Sequence, residues 1–239
     1  MKALSALVLS ITGLFGIAQA ALAISNGQIV SPNDSVKSVT VSIYSYDDDC
    51  TGVKVAPRFI LTARHCRIND TTRIIFSDGT RYKITGYFEP SRKPETVKNE
   101  HDLAILKIEA AVPGPVAGFA DDGATPEDGT IAWMAGYGGQ KPSSRNDPLR
   151  KVKVIMTDRG YSPSAVMVQT TERGSACDGD SGGPGYTEQA NQIVVWGIDS
   201  APLNGNSRCS SLEVFAKVAS EHDWIKKTIS NEQWSAARF

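Results

Sequence analysis

Short runs of alternating apolar and polar residues follow one another through much of the chain. In its first half, three such runs span residues 39–44, 59–62 and 74–76. A period of two is typical of a β-strand that buries one face. The Asp78-Gly79 pair after the third run tolerates the positive φ angles of a tight turn, and another strand-like run follows it. The pattern therefore predicts a β-domain that contains a hairpin.

The second half of the chain resumes this pattern after a break. Residues 110–130 are rich in Pro, Gly, Ala and Asp and contain few large apolar side chains. Further strand-like runs follow at 131–137, 151–156, 165–170, 192–198 and 213–218. The sequence therefore predicts two β-domains joined by a crossing segment.

The end of the chain has a helical pattern instead. Trp224, Ile225, Thr228 and Ile229 recur at the spacing of one helix face, and residues 220–223 resemble a capping box. We therefore expect one C-terminal helix.

The N-terminal segment is typical of a secretory signal peptide. Lys2 precedes an apolar run over residues 3–18, and Ala21 and Ala23 form an A-x-A cleavage pattern. A membrane anchor is the alternative, but the run is short and is interrupted by polar residues and glycines. We therefore expect a signal peptide at 1–23 whose removal yields a secreted chain, extracellular or periplasmic, without membrane attachment.

Composition narrows the choice of partners. Of the 239 residues, 41% are hydrophobic and 21% charged, and the formal net charge is -1. Such a chain has no general attraction for nucleic acid, which we do not expect as a partner. The cysteines, histidines and acidic residues show no spacing typical of metal ligands, so no metal or cofactor is expected. After export the four cysteines are expected to form disulfides, and their spacing leaves the pairing open.

The most informative segment is GDSGGP at residues 179–184. A serine hydroxyl becomes a nucleophile when a base takes its proton and N–H donors stabilise the oxyanion that forms. Glycines beside a serine let backbone N–H groups converge, so Gly179 and Ser181 are the predicted oxyanion donors. A plain glycine-rich turn is the alternative interpretation.

A base must come from one of three histidines. His65 follows a predicted strand directly, in the segment LTARHC at 61–66. A buried structural histidine is the alternative at this position. His101 adjoins Asp102, and because neighbouring strand residues face opposite sides, we expect His101 to be exposed. His222 lies in the predicted helix cap and is expected at the surface.

The imidazole also needs a carboxylate that selects its tautomer and stabilises its cation. Asp102, in the segment HDLAILK at 101–107, is the candidate, and a role in capping a strand is the alternative. The three candidate residues thus occur in the chain order His65, Asp102, Ser181.

These segments resemble the trypsin and chymotrypsin family of serine proteases, peptidase family S1. LTARHC resembles the family's LTAAHC, DLAILK resembles its DIALLK, GDSGGP matches its nucleophile motif, and the chain order differs from that of subtilisin. The resemblance implies an all-β fold of two antiparallel six-stranded Greek-key β-barrels with a C-terminal α-helix. It implies an N-terminal barrel at 24–120 and a C-terminal barrel with the helix at 121–239, which together form one peptidase domain at 24–239.

The resemblance implies a secreted, monomeric serine endopeptidase that cleaves proteins or peptides through an acyl-enzyme. Ser181 would be the nucleophile, His65 the general base and Asp102 the residue that orients the imidazole. The residues matching the family's disulfide pairs are Cys50 with Cys66 and Cys177 with Cys209.

Activation is implied as well. In the family, the ammonium group of a newly exposed N-terminal isoleucine pairs with the aspartate before the nucleophile. Here ISNG at 24–27 resembles the family's IVNG start, so Ile24 and Asp180 are the matching pair. Because residues 21–23 themselves form the A-x-A pattern, we hypothesise that signal removal exposes Ile24 directly.

The resemblance also assigns a substrate pocket. Ser175 takes the position of the pocket floor, Val195, Trp196 and Gly197 that of one wall, and Glu213 that of another. A serine floor favours aromatic or large apolar P1 residues, whereas Glu213 pointing inward favours a mixed basic and aromatic preference. Glu213 pointing to solvent is the alternative.

Two departures from the family pattern keep a second function open. Arg64 replaces an alanine beside the histidine, and Val195 takes the place of a serine that hydrogen-bonds the triad aspartate. Loss of that donor is expected to raise the pKa of Asp102, and we hypothesise that the charge of Arg64 compensates. The alternative function is a catalytically impaired homologue that acts as a binding protein.

Overall fold

The computed structural model describes residues 24–45, 49–91, 101–121, 124–138, 148–171, 173–203 and 209–236, with side chains up to residue 231. The predicted signal peptide at 1–23 lies outside this range. Within the described residues, no helix is both long and apolar enough to span a lipid bilayer.

Strands dominate the described part of the chain. They are β1 (Gln28–Ile29), β2 (Thr40–Tyr44), β3 (Cys50–Ala56), β4 (Phe59–Thr62), β5 (Arg73–Ile75), β6 (Arg81–Phe88), β7 (Ala104–Ile108), β8 (Gly118–Phe119), β9 (Ile131–Gly136), β10 (Arg150–Ser162), β11 (Ala165–Thr170), β12 (Ala176–Cys177), β13 (Pro184–Gln189), β14 (Gln192–Pro202), β15 (Cys209–Ser210) and β16 (Leu212–Lys217). The helices are α1 (Ser35–Val39) and α2 (His222–Ala236), and one 3₁₀ turn precedes α2 at Ala219–Glu221.

The first barrel closes in the strand order β2-β3-β4-β7-β6-β5. Every residue of β3 and β4 is buried, so these strands form the centre of the core. The predicted hairpin joins β5 to β6: Gly79 has a φ of 84°, and Thr80 donates its N–H to Asp78 Oδ1 over 2.8 Å. The hairpin prediction is confirmed.

The second barrel runs β10-β11-β16-β14-β13-β9 and closes through the pairing of β9 with β10. Trp196 and Phe215 pack together in its core, with ring centroids 5.1 Å apart. With α2 at the end of the chain, the all-β architecture of two six-stranded barrels and a C-terminal helix is confirmed.

The segments that flank the two barrels in sequence, residues 24–30 and α2, also contact them. Strand β1 pairs with β10, and Ser25 forms an isolated bridge with Ser175. Residues 24–30 therefore pack on the second barrel, although the sequence groups them with the first domain. Ile225 of α2 joins a hydrophobic cluster that includes first-barrel strands. The division of the chain between residues 120 and 121 stays a prediction.

Candidate active site

His65 and Asp102 meet because of the way β4 pairs with β7. Thr62, the last residue of β4, lies opposite Ala104, the first residue of β7. The residues just after β4 and just before β7 are therefore neighbours. His65 Nδ1 lies 2.7 Å from Asp102 Oδ2, and the His65 backbone N–H donates to Asp102 Oδ1 over 2.9 Å. The two carboxylate oxygens thus hold both the ring and the backbone of His65.

The two members of this pair differ in exposure. The side chain of Asp102 is 2% exposed and that of His65 is 39% exposed. Burial would raise the pKa of Asp102, but hydrogen bonds from His65 and Ser200 and the charge of His65 outweigh it and lower the pKa below its ordinary value. A buried anion therefore lies beside Nδ1 of an imidazole whose side chain is partly exposed to solvent.

Ser200 is a residue of this site that the sequence analysis missed. Its Oγ donates to Asp102 Oδ2, so the carboxylate keeps a serine donor. The prediction that this donor is lost at Val195 is wrong. The Trp196-Gly197 pair resembles the family's motif, but the residues that reach the site follow it on β14. Because Ser200 supplies the donor, the hypothesis that the charge of Arg64 compensates for a lost donor is no longer needed. The backbone carbonyl of Arg64 accepts a hydrogen bond from Tyr87 Oη.

The predicted wall at Val195, Trp196 and Gly197 needs the same correction. Val195 is fully buried and Trp196 is 1% exposed against Phe215. The pairing of β13 with β14 shifts register by one residue. Gly185 lies opposite Gly197 and Tyr186 lies opposite Val195, so Trp196 has no partner on β13. The side chains of Val195 and Trp196 therefore pack in the hydrophobic core and do not line a pocket.

Residues 179–184, called the nucleophile loop because they contain the predicted nucleophile, lie where the two barrels touch. Thr51 of β3 donates its N–H to the Ser181 carbonyl over 2.8 Å, and Gly182 donates its N–H to the Asp199 carbonyl over 2.7 Å. Gly182 has a φ of 83°, and a Cβ there would lie 2.1 Å from Thr62 Oγ1. Glycine is required on both grounds. The loop therefore packs against the end of β4, the strand that leads to His65.

The same loop presents unused N–H donors. The N–H groups of Asp180, Gly182 and Gly183 all donate to backbone carbonyls. Among the described residues, no acceptor is found for the N–H of Gly179 or Ser181. Gly179 has a φ of 93°, in the left-handed region that glycine favours. These two groups are the donors predicted for an oxyanion.

Ser181 Oγ makes no hydrogen bond to another described residue. In active sites without substrate, the hydrogen bond between nucleophile and base is often long or poorly aligned, and it tightens when the substrate binds.

Ile24 and Asp180 are in contact. The Ile24 nitrogen lies 3.1 Å from Asp180 Oδ2, and both residues are fully buried. The backbone N–H groups of Cys177 and Gly138 also donate to this carboxylate, over 2.8 and 2.9 Å. Burial raises the pKa of Asp180 to about 6, against the lowering effect of these donors.

The disulfides are Cys50–Cys66 and Cys177–Cys209, the pairing that the resemblance implies. The first ties β3 to the residue after His65. The second joins β12 to β15. Cys50, His65 and Cys66 are the only group with metal-ligand atoms close together among the described residues, and the bond between the cysteines removes them as ligands.

Glu213 faces inward. It is 3% exposed, which contradicts the alternative that it points to solvent. Burial raises the pKa of Glu213, the charge of Asp199 raises it further, and a hydrogen bond with Ser210 opposes them. Ser210 lies opposite Ala176, the neighbour in sequence of the half-buried Ser175, which is the predicted floor.

The structure also corrects the position of His101. Its side chain is 13% exposed, and Nδ1 lies 2.7 Å from Glu221 Oε1, so the expectation of an exposed residue is wrong. His101 has a φ of 54° and is not part of a strand, so the alternation of faces does not apply to it. His222 is half-buried against Phe119, with ring centroids 5.3 Å apart.

Two six-stranded barrels, with a His–Asp pair and the GDSGGP loop at their junction, define the chymotrypsin fold. The family model named Trypsin matches residues 24–225. The chain therefore belongs to the trypsin family of serine proteases.

Individual relatives are distant. The chain is 26% identical to trypsin 5G1 of Aedes aegypti, over 74% of this chain and 74% of that protein. It is 28% identical to trypsin eta of Drosophila melanogaster, over 92% and 95% of the two chains. The solved structure of the scabies mite inactivated protease paralogue S-I1 superposes with a TM-score of 0.69 at 22% identity, over 86% of this chain and 99% of that one. The last likeness concerns the fold alone.

Proposed function

We propose that the chain is a secreted serine endopeptidase that cleaves proteins or peptides through an acyl-enzyme. The observation that carries this proposal is the contact of 2.7 Å between His65 Nδ1 and the buried Asp102. A histidine held in this way presents its other nitrogen as a base, and Ser181 lies in the loop packed against the same strand end.

The reaction follows from these contacts. Ser181 Oγ attacks the scissile carbonyl while His65 Nε2 accepts the hydroxyl proton, and Asp102 stabilises the imidazolium. The N–H groups of Gly179 and Ser181 donate to the oxyanion. His65 then protonates the leaving amine, and the C–N bond breaks to give the acyl-enzyme. A water molecule, deprotonated by His65, releases the acid and restores Ser181.

The substrate pocket is proposed at Ser175 and Glu213. Because Glu213 is buried, it favours a mixed basic and aromatic P1 preference over a purely apolar one.

A phosphonyl fluoride tests the proposed function directly. We expect it to label Ser181 covalently, as identified by mass spectrometry, and to block hydrolysis of a protein substrate at the same time. Heat-denatured protein is the control for non-specific reaction. A folded chain that neither reacts nor cleaves would instead support the alternative function, a catalytically impaired homologue that binds a partner.

We further propose that Ile24 is the mature N-terminus. Cleavage after Ala23 would replace the amide beside Asp180 with an ammonium group and complete a buried ion pair. Leaving one member of such a pair without its partner costs about 3–5 kcal/mol, so we expect a chain with one extra N-terminal residue to be at least about 100-fold less active. N-terminal sequencing of the exported protein and assays of both chains check this.

The pH dependence adds a second measurement. The free α-amino group has a pKa of about 7.7–8.0, and pairing with Asp180 raises it. The stability and activity that depend on the pair are therefore present near neutral pH and are lost as the pH rises through the raised pKa of the ammonium group. Equal activity of the two chains at all pH values would contradict the proposal.

A further inference from the structure

We propose that Asp199 and Glu213 together bind the cationic side chain of lysine or arginine at P1. This inference rests on the proposed endopeptidase function and deepens it, because Asp199 was not among the predicted pocket residues.

The position of Asp199 is set by backbone contacts. Its N–H donates to the Gly183 carbonyl over 2.9 Å, and its carbonyl accepts the Gly182 N–H over 2.7 Å. The next residue, Ser200, is bonded to Asp102. Asp199 thus lies between the nucleophile loop and the carboxylate of the His–Asp pair. In the proposed complex, a substrate whose carbonyl group lies at Ser181 has its P1 side chain in this region.

Glu213 approaches from the adjacent strand. In the pairing of β14 with β16, Asp199 lies opposite Phe215 and Pro202 opposite Glu213, with a bulge between them. Both carboxyl groups belong to residues that are 3% exposed, and the charge of Asp199 raises the pKa of Glu213.

The two carboxyl groups lack a counter-charge. Among the described residues, no lysine or arginine forms an ion pair with either of them, and Asp199 Oδ1 is buried without a hydrogen-bond partner. The charged groups that act on Asp199 are Asp180, Asp102 and His65, of which His65 alone favours its ionised form. Those that act on Glu213 are Asp199 and Asp180.

A cationic P1 side chain of the substrate would supply the positive charge that is missing beside Asp199 and Glu213. Burial raises the pKa of both carboxyls, and the negative charge of Asp180 raises both further, so the protonated forms are favoured while the site is empty. A lysine or arginine side chain would pair with the ionised groups, and the protons would leave to solvent. A phenylalanine side chain offers no hydrogen bond and leaves the buried oxygen of Asp199 unpaired, which is unfavourable.

The experiment compares peptides that differ only in Lys, Arg, Phe or Leu at P1. We expect kcat/KM for Lys and Arg to exceed that for Phe, and Asp199→Asn and Asp199→Val to lower the Lys and Arg values by about 100-fold while leaving Phe within about threefold. Glu213→Gln is expected to act in the same direction. Asp223→Asn, which removes one negative charge from an exposed helix position, is the matched control and should change nothing.

Binding of benzamidine to Ser181→Ala protein separates this inference from the proposed function, because it needs no catalysis. We expect Asp199→Asn in that background to weaken benzamidine binding by about 100-fold. A chain labelled by the phosphonyl fluoride that prefers Phe over Lys and Arg would overturn the inference and leave the endopeptidase intact. Equal losses for Lys and Phe, or unfolding of both Asp199 variants, would assign Asp199 a structural role and overturn it as well.

Discussion

Ser181→Ala is expected to reduce kcat for peptide hydrolysis by about a million-fold, because it removes the atom that forms the acyl-enzyme. Folding should be unaffected. Ser181 contributes its backbone carbonyl, not its hydroxyl, to the hydrogen bond with Thr51. Steady-state assays and near-UV circular dichroism of the variant and the parent test this expectation.

A matched control is available in the C-terminal helix. Ser230 is exposed on α2, and Ser230→Ala should retain full activity. If Ser181→Ala kept activity within tenfold of the parent, then the nucleophile would be another group, and the proposed reaction would be wrong.

Asp102→Asn is expected to lower kcat by about 10,000-fold near neutral pH, a typical factor for loss of the carboxylate that orients the histidine. Asp102 accepts hydrogen bonds from the His65 backbone, the His65 ring and Ser200. An amide has only one acceptor oxygen, so its NH₂ group would face a donor or force the imidazole into the wrong tautomer. Assays across pH, with kcat and KM separated, measure the effect.

Ser200→Ala provides a graded companion to this variant. The serine hydrogen bond lowers the pKa of Asp102, so its loss should raise that pKa and move the acidic limb of the kcat profile to higher pH.

An effect on KM alone for Asp102→Asn, with kcat unchanged, would show that Asp102 does not act through His65.

Four buried carboxyl groups surround the proposed active site, and they are compensated to different degrees. Asp102 accepts hydrogen bonds from His65 and Ser200. Asp180 accepts hydrogen bonds from three backbone N–H groups. A hydrogen bond with Ser210 only partly opposes the raised pKa of Glu213, and Asp199 Oδ1 is buried without a hydrogen-bond partner. This contrast supports the proposal that Asp199 and Glu213 bind a cationic side chain.

Much of the fold was predictable from local patterns. The run at 59–62 and the run at 165–170 coincide with β4 and β11, and the Asp78-Gly79 turn lies where its backbone preference indicates. The residues proposed to carry the chemistry occupy contiguous motifs, and the chain order of these motifs is visible without any structure. Alternation of faces and turn preference act over a few neighbouring residues, so the sequence alone determines them.

The tertiary structure decided what depends on register and burial. The bulge between β13 and β14 places Val195 in the core and brings Asp199 and Ser200 to the site, which no local pattern indicated. The inward orientation of Glu213 and the contact of His101 with Glu221 likewise depend on segments far apart in the chain. A shift of one residue exchanges the two faces of a strand. For this reason the proposed base and nucleophile could be identified from the sequence, whereas the carboxyls proposed to select the substrate required the packed barrels.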